Sequence, residues 1–432
     1  MRLNPKKVTI FLVIIISISS ANNWTTLPIG NTTFWWIIYA FIIISFINSK
    51  RYLFNPLDNS NILFLKLYLW WNIVCIFRGL FVADNYWEWK NLLSAGMVLL
   101  IPLSINVSMN REFTQYVFVS YLKYAIFIFI LLFTFFYEDA FGQFLAPISI
   151  LLLFFPIISP KWKVVLLLLY VIVLISDIEA RSNIIKFTVP LLLSILYYVP
   201  KSFAKIGKIF EFARLTLMII PLVFFSLGVT GVFNIFSIDR YVKGNYETSK
   251  VRNGEIVGGD LTADTRTFLY TEVLQSAFKF DYFVFGRTPA RGNESKTFGV
   301  HMADELKTGK LERFDNEVSI LNVFTWTGLI GVILYLFVFF KSTYLAINRS
   351  NNIFIKIVGL YVSFRWVYAW VEDFSRIDLY SCLLWFLIGM CCSIKFRQMN
   401  DQEMKLWILG IFENKNRVAY YKLLRITESK TF

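Results

Sequence analysis

One polar stretch, 237–316, holds most of the groups in this chain that could hold an anion or move a proton. Arg266, Arg287, Arg291 and His301 lie within it, and Asp315 and Glu317 stand at its end in the run LERFDNE. A carboxylate at the edge of an apolar environment has its proton affinity raised, towards the range where it can take a proton from a hydroxyl near neutral pH. Asp315 is the first candidate for such a base and Glu317 the second. His301, the single histidine, titrates in the right range, although a lone loop histidine is usually just solvated. Asp315 with Asn316 ahead of an apolar run also reads as a helix N-cap, and both roles stand open. The planar fork of a guanidinium matches phosphate oxygens, so the arginines point to an anionic ligand.

The elements that must position these groups are membrane helices. Of 432 residues, 57% are hydrophobic and 19% aromatic, and the mean hydropathy is +0.58, too apolar for a soluble domain. Apolar runs occupy 8–20, 34–47, 62–83, 92–107, 116–137, 144–158, 162–178, 183–199, 215–236, 318–340, 353–371 and 377–394. About twelve spans follow, with ten to twelve as the range. The runs 8–20, 34–47 and 144–158 are short, and Pro147 and Pro156 make the last one kinked or re-entrant. The chain divides into nine spans over 1–236, one large loop over 237–316, three spans over 317–394 and a basic tail over 395–432. That tail reads either as a membrane-surface helix or as a solvated segment.

The net charge of +14 sits in short clusters between apolar runs, which is the pattern of topology signals and not of a nucleic-acid surface. Basic connections at 2–7, 50–51, 111, 161–163, 201–214, 341–349 and the tail alternate with connections carrying Asp84, Glu88, Glu138, Asp139, Glu179, Glu372 and Asp373. The positive-inside rule then puts both termini in the cytoplasm and the large loop outside. The start, MRLNPKKVTIFLVIIISISSANN, is read as an uncleaved first helix, with a cleaved signal peptide as the other reading; either leaves residue 22 outside. Cys75, Cys382, Cys391 and Cys392 all lie in or at the ends of apolar runs, so neither a disulfide framework nor a metal spacing follows.

Depth sorts the bases inside the apolar runs. Lys66, Lys123 and Lys356 fall near cytoplasmic ends, where they can snorkel. Arg78, Lys186 and Arg365 fall in outward halves, and Arg181 and Arg376 lie on adjoining outer connections. Five bases therefore share one level near the outer leaflet, as a cradle for an anionic headgroup would require. The competing reading pairs each with a local acid, Glu179 beside Arg181 above all. In the loop, 266–280 has helical apolar spacing and reads as an amphipathic surface helix, and 244–261 is glycine-rich and reads as flexible. Gly286, Pro289 and Gly292 mark a turn presenting Arg287 and Arg291.

Four features in this order resemble the bacterial O-antigen polymerase and O-antigen ligase superfamily of membrane glycosyltransferases. They are EARSN at 179–183, the large late loop, TRTFLYTEVLQSAFKFDYFVFG at 265–286, and DNEVSILNVFTWTGLIGVILYLFVF at 315–339. They cover roughly the second half of the chain. The resemblance implies an all-α, GT-C-like polytopic fold and a polyprenyl diphosphate-linked oligosaccharide as donor. It also implies arginines at Arg181 and Arg266 that hold the diphosphate. Arg78, Arg365, Arg287 and Arg291 complete the expected binding set. Ligases carry His where this chain has Asp315, a departure that points to polymerase.

Inverting transfer from a sugar diphosphate needs a base on one face and neutralised charge on the other; fixed guanidiniums supply the second, so neither metal nor cofactor is expected. The leading expectation is a polymerase of O-antigen or capsular repeat units at the outer face of the bacterial cytoplasmic membrane, surrounded by membrane lipids and open to a chain-length regulator as partner. An O-antigen ligase is the nearest alternative. A flippase or transporter of the same lipid-linked oligosaccharide is the alternative of another class, expected to carry charges along a central mid-depth path.

Overall fold

The computed structural model describes residues 5–53, 55–176, 181–199, 206–237, 247–252, 255–260 and 266–429. Helix accounts for 77% of the chain, with two small antiparallel strand pairs. Among the described residues six helices are long and apolar enough to cross a membrane: Lys6–Trp24, Thr32–Arg51, Tyr86–Ser108, Arg111–Phe135, Gly207–Val229 and Ser319–Asn348. Shorter apolar helices, including Leu63–Gly79, Pro160–Ser176, Ile353–Tyr368 and Leu379–Cys392, pack among them. Ile37, Trp70, Phe127, Ile175 and Phe212 are all exposed, an outer surface that suits lipid and not water. The architecture is that of an all-α membrane protein.

Contacts sort the helix ends into two sets. At one end Lys6 pairs with Glu112 at 3.4 Å, the Trp407 indole donates to Arg111 O at 3.0 Å, and the Asn351 amide donates to Arg397 O at 2.8 Å. At the other, Ser19 donates to Ile377 O at 2.9 Å, the Thr26 amide to Phe135 O at 2.9 Å and Tyr368 to Ser182 O at 3.0 Å. Basic connections distant in sequence meet at the first end, and Glu372, Asp373 and the large loop meet at the second.

Two interruptions show how the bundle keeps backbone polar groups satisfied. Residues 138–157 break into Glu138–Phe144, Ala146–Leu152 and the tight turn Phe155–Ile157, with Pro147 and Pro156 at starts where a missing N–H costs nothing. Residues 144–154 are all buried, so this irregular backbone is shielded by protein. Gly328 interrupts Ser319–Asn348 with φ 68° and ψ −171°, a conformation open essentially to glycine alone. The freed carbonyls of Thr325 and Thr327 accept from the Arg287 amide and the Trp71 indole, both at 2.7 Å. The freed amides of Leu329 and Ile330 donate to Phe283 O at 2.9 Å and Val284 O at 3.3 Å. The break leaves 329–348 for the crossing, about 30 Å at 1.5 Å rise per residue.

Two expectations change. Within 244–261, Glu247–Arg252 pairs with Glu255–Asp260 as a hairpin; the Asn253-Gly254 dipeptide between two runs containing β-branched residues was the sequence signal for it. The tail is neither a solvated segment nor free on a membrane surface over Asp401–Phe412. That helix buries Met404, Trp407, Ile408 and Ile411, and Gln115 donates to Trp407 O at 2.6 Å. A capping box at Asn400 and Glu403 starts it. Arg214, one of the bases read as a topology signal, is buried, paired with Glu211 at 2.6 Å and stacked on Phe340.

A Cβ at Gly328 would meet Val284 O and the Gly286 amide. Gly328→Ala is therefore expected to cost about 2 kcal/mol or more, read as an earlier thermal melt of the detergent-solubilised chain. An unchanged melt would remove the strain argument.

Candidate active site

The site is assembled by the first turn of Ser319–Asn348, whose exposed amides need partners because no side chain caps it. The Ser319 amide donates to Glu372 O at 3.1 Å and the Ile320 amide to Ala369 O at 3.0 Å, while Ser319 Oγ accepts from the Phe374 amide at 2.8 Å. The connection 369–378 thus takes the place of a cap, and the N-cap reading of Asp315 and Asn316 is overturned. Asn316 instead donates its side-chain amide to Asn293 at 3.0 Å. This docking sets Asp315 beside Asp373 from the next connection.

Asp315 keeps a solvent-exposed edge, and among the described residues its carboxylate receives no hydrogen bond. Crowding by protein pushes its carboxyl up to about 6; the Asp373 charge pushes the same way, and Arg376 and Arg313 hold it back. Asp373 is also raised by burial, against Arg376 and the Ser375 amide. Glu317 lies between two arginines, with Arg266 at 2.7 Å and Arg313 at 3.2 Å. Arg266 opens the loop helix Thr267–Lys279 and also donates to Val371 O at 3.2 Å. Arg376 reaches Asp373 at 3.8 Å and lies over the Trp24 ring. Below them Lys186 pairs with Glu372 at 3.6 Å, and Lys186 and Arg365 both face the Tyr380 ring, at 4.8 Å and 3.7 Å from its centre.

The expected six-arginine binding set divides into separate places. Arg266 is at the site. Arg181 is exposed at the start of Arg181–Ser194, next to Ser182, whose carbonyl takes the Tyr368 hydroxyl. Glu179, its expected competitor, lies outside the described residues. Arg365 is wholly buried between the rings of Tyr380 and Phe374. Arg78 donates to Phe285 O at 2.6 Å and Gly286 O at 3.2 Å, fixing the loop to the bundle. Arg287 and Arg291 share Glu312, and Arg291 also faces Glu88 with Lys310. The ladder pairing Asn293–Glu294 with Glu312–Arg313 separates the networks: successive strand residues point to opposite faces, so Glu312 turns to Arg287 and Arg291 and Arg313 to Glu317. His301 is exposed on Gly299–Leu306, 3.6 Å from Glu305.

Asp373 is the site residue that the sequence did not single out as chemistry; it was read for topology and as a local acid for the bases, whereas Arg376 was read as one of the five bases at the outer level and left out of the binding set. Beside Arg266 lies a cavity of about 420 Å³ between Ile206–Val229, Thr267–Lys279 and the end of Ile353–Tyr368. Phe224, Phe225, Phe236, Tyr270, Leu274 and Trp370 line it. No family model, curated protein or solved structure matches the chain.

Glu312→Gln strands Arg287 and Arg291 without their shared carboxylate. The expected cost is roughly 2–4 kcal/mol, seen as an earlier melt of the solubilised chain. A melt that does not move would return these arginines to the ligand site.

Proposed function

We propose that the chain is a polysaccharide polymerase that moves a glycan from a polyprenyl diphosphate carrier onto a lipid-linked repeat unit, at the outer face of the bacterial cytoplasmic membrane. The observation that carries this reading is the Asp315 carboxylate, open to solvent and free of hydrogen bonds from the described residues, with Arg313 and Arg376 facing it and Arg266 held on Glu317 two residues on. The apolar cavity beside Arg266 supports it, since an isoprenoid chain needs an apolar bed next to its anionic head. The sequence resemblance in EARSN, in the Arg266 helix and in the DNE run points the same way. Twelve spans, cytoplasmic termini and an outward loop belong to this proposal.

In the proposed reaction the acceptor hydroxyl gives its proton to Asp315 as its oxygen attacks the anomeric carbon. The bond from that carbon to the diphosphate oxygen breaks, and the electron pair leaves with the diphosphate. Arg266, exchanging Glu317 for phosphate, and Arg376 neutralise the leaving charge. Asp315 must be deprotonated to act, so the rate falls as pH drops through about 6.

Asp315→Asn is expected to abolish long chains at normal protein level, leaving single repeat units on gels of lipid-linked glycans. Arg266→Ala and Arg376→Ala are expected to do the same, and wild-type activity to survive a strong chelator. Free long chains in the mutants would indicate a ligase, and units held on the cytoplasmic leaflet a flippase. Normal chain length in Asp315→Asn removes the base.

A further inference from the structure

The two carboxylates of the site are held differently, and one side chain, Asn322, touches both the Asp373 carboxylate and the backbone next to Asp315. It is wholly buried, just inside Ser319–Asn348, and every hydrogen-bonding hydrogen of its amide is used. Its Oδ1 accepts from the Asn316 amide at 2.7 Å; its Nδ2 donates to Asn316 O at 2.9 Å and to Asp373 Oδ1 at 3.2 Å. The first two bonds fix the backbone adjoining Asp315. The third treats Asp373 as an acceptor, as do the Ser375 amide at 2.8 Å and Arg376 at 3.8 Å. Donors and a nearby cation favour the charged form of a carboxylate, whereas Asp315 has no such donor among the described residues.

We propose that Asn322 is a positioning residue: it holds Asp373 as a charged acceptor beside Asp315, so that Asp315 is the member of the pair that carries the exchangeable proton. This rests on the reading of Asp315 as the base. Two close carboxylates titrate as a pair, and whichever is fixed in its charged form hands the proton to the other. The other charges facing the pair are Arg313 from its strand, Glu317 with Arg266, Glu372, Arg376 and Asp378 from the connection, and Lys186 from the neighbouring helix. Ser375 donates to Asp373 from within the connection, and Asn322 adds a donor from the helix.

The test is an infrared titration of the full chain in detergent, following the carbonyl stretch of protonated carboxyl groups, with the Asp315 band assigned by its loss in Asp315→Asn. The parent band is expected to have a midpoint at about 6. In Asn322→Ala the freed Asp373 competes for the proton, and the Asp315 midpoint falls by about one pH unit. Asp373→Asn gives the same fall, and the double variant no larger one. If the alanine variant does not fold, Asn322→Leu, which keeps the side-chain volume, takes its place. A midpoint that stays with the parent in a folded Asn322 variant overturns the proposal. Long chains made by Asp315→Asn would remove the catalytic reading whatever the titration shows; an unmoved midpoint beside an inactive Asp315→Asn removes only the role of Asn322.

Discussion

Backbone amides and carbonyls at membrane depth must find partners within the protein, and one helix meets that demand twice. At its start, Ser319–Asn348 hands its uncapped amides to the carbonyls of 369–372; at Gly328 it hands the groups freed by the break to 283–287 and Trp71. An unmet group in this setting costs several kcal/mol, so both dockings are strongly specified. They bring the large loop and the connection 369–378 onto the same few turns. The proximity of Asp315 to Asp373, and of Arg266 to Glu317 and Val371, is a by-product of that accounting.

Burial then decides which ion pairs are structural. Glu312 is nearly inaccessible, and Arg287 and Arg291 beside it are mostly covered, so opening that network would leave a charge stranded in a poor solvent. Glu317 is about half exposed, as is Arg376, and pairs of this kind are worth only about 0–1 kcal/mol. In the proposed reaction an incoming anion would displace the second kind and not the first. The same residue type therefore serves packing at Arg287 and Arg291 and is available for exchange at Arg266 and Arg376.

Much of the scaffold was legible. The apolar runs, the alternation of charged connections, the weak proline-bearing run at 144–158 and the loop helix opened by Arg266 all have counterparts in the structure. What could not be read was angular position. Hydropathy and charge place a residue along the membrane normal, but they do not say where around the bundle it points, and Arg78, Arg181, Arg266 and Arg365, read from the sequence as one set, have quite different surroundings. Asp373 was hidden for the same reason, since its partnership with Asp315 exists only through the docking of two outer connections. The cap reading failed because a loop of backbone carbonyls did what a side chain does in an isolated helix.

Broken helices are also the mark of carriers, whose unwound backbone lines a path for the cargo. Here the breaks are filled by protein. The groups freed at Gly328 are taken up by the loop and an indole, and the 138–157 break is covered by the bundle, with 144–154 wholly buried. The buried bases Lys186 and Arg365 stack on one tyrosine ring, close beneath the Asp373 connection, and are packed in place. Under the proposed reaction, fixed positive charge beneath a solvent-open carboxylate would hold an anion at one face while a proton is taken there. A carrier must instead offer its cargo a partner at each depth, and a base locked against an aromatic ring offers none.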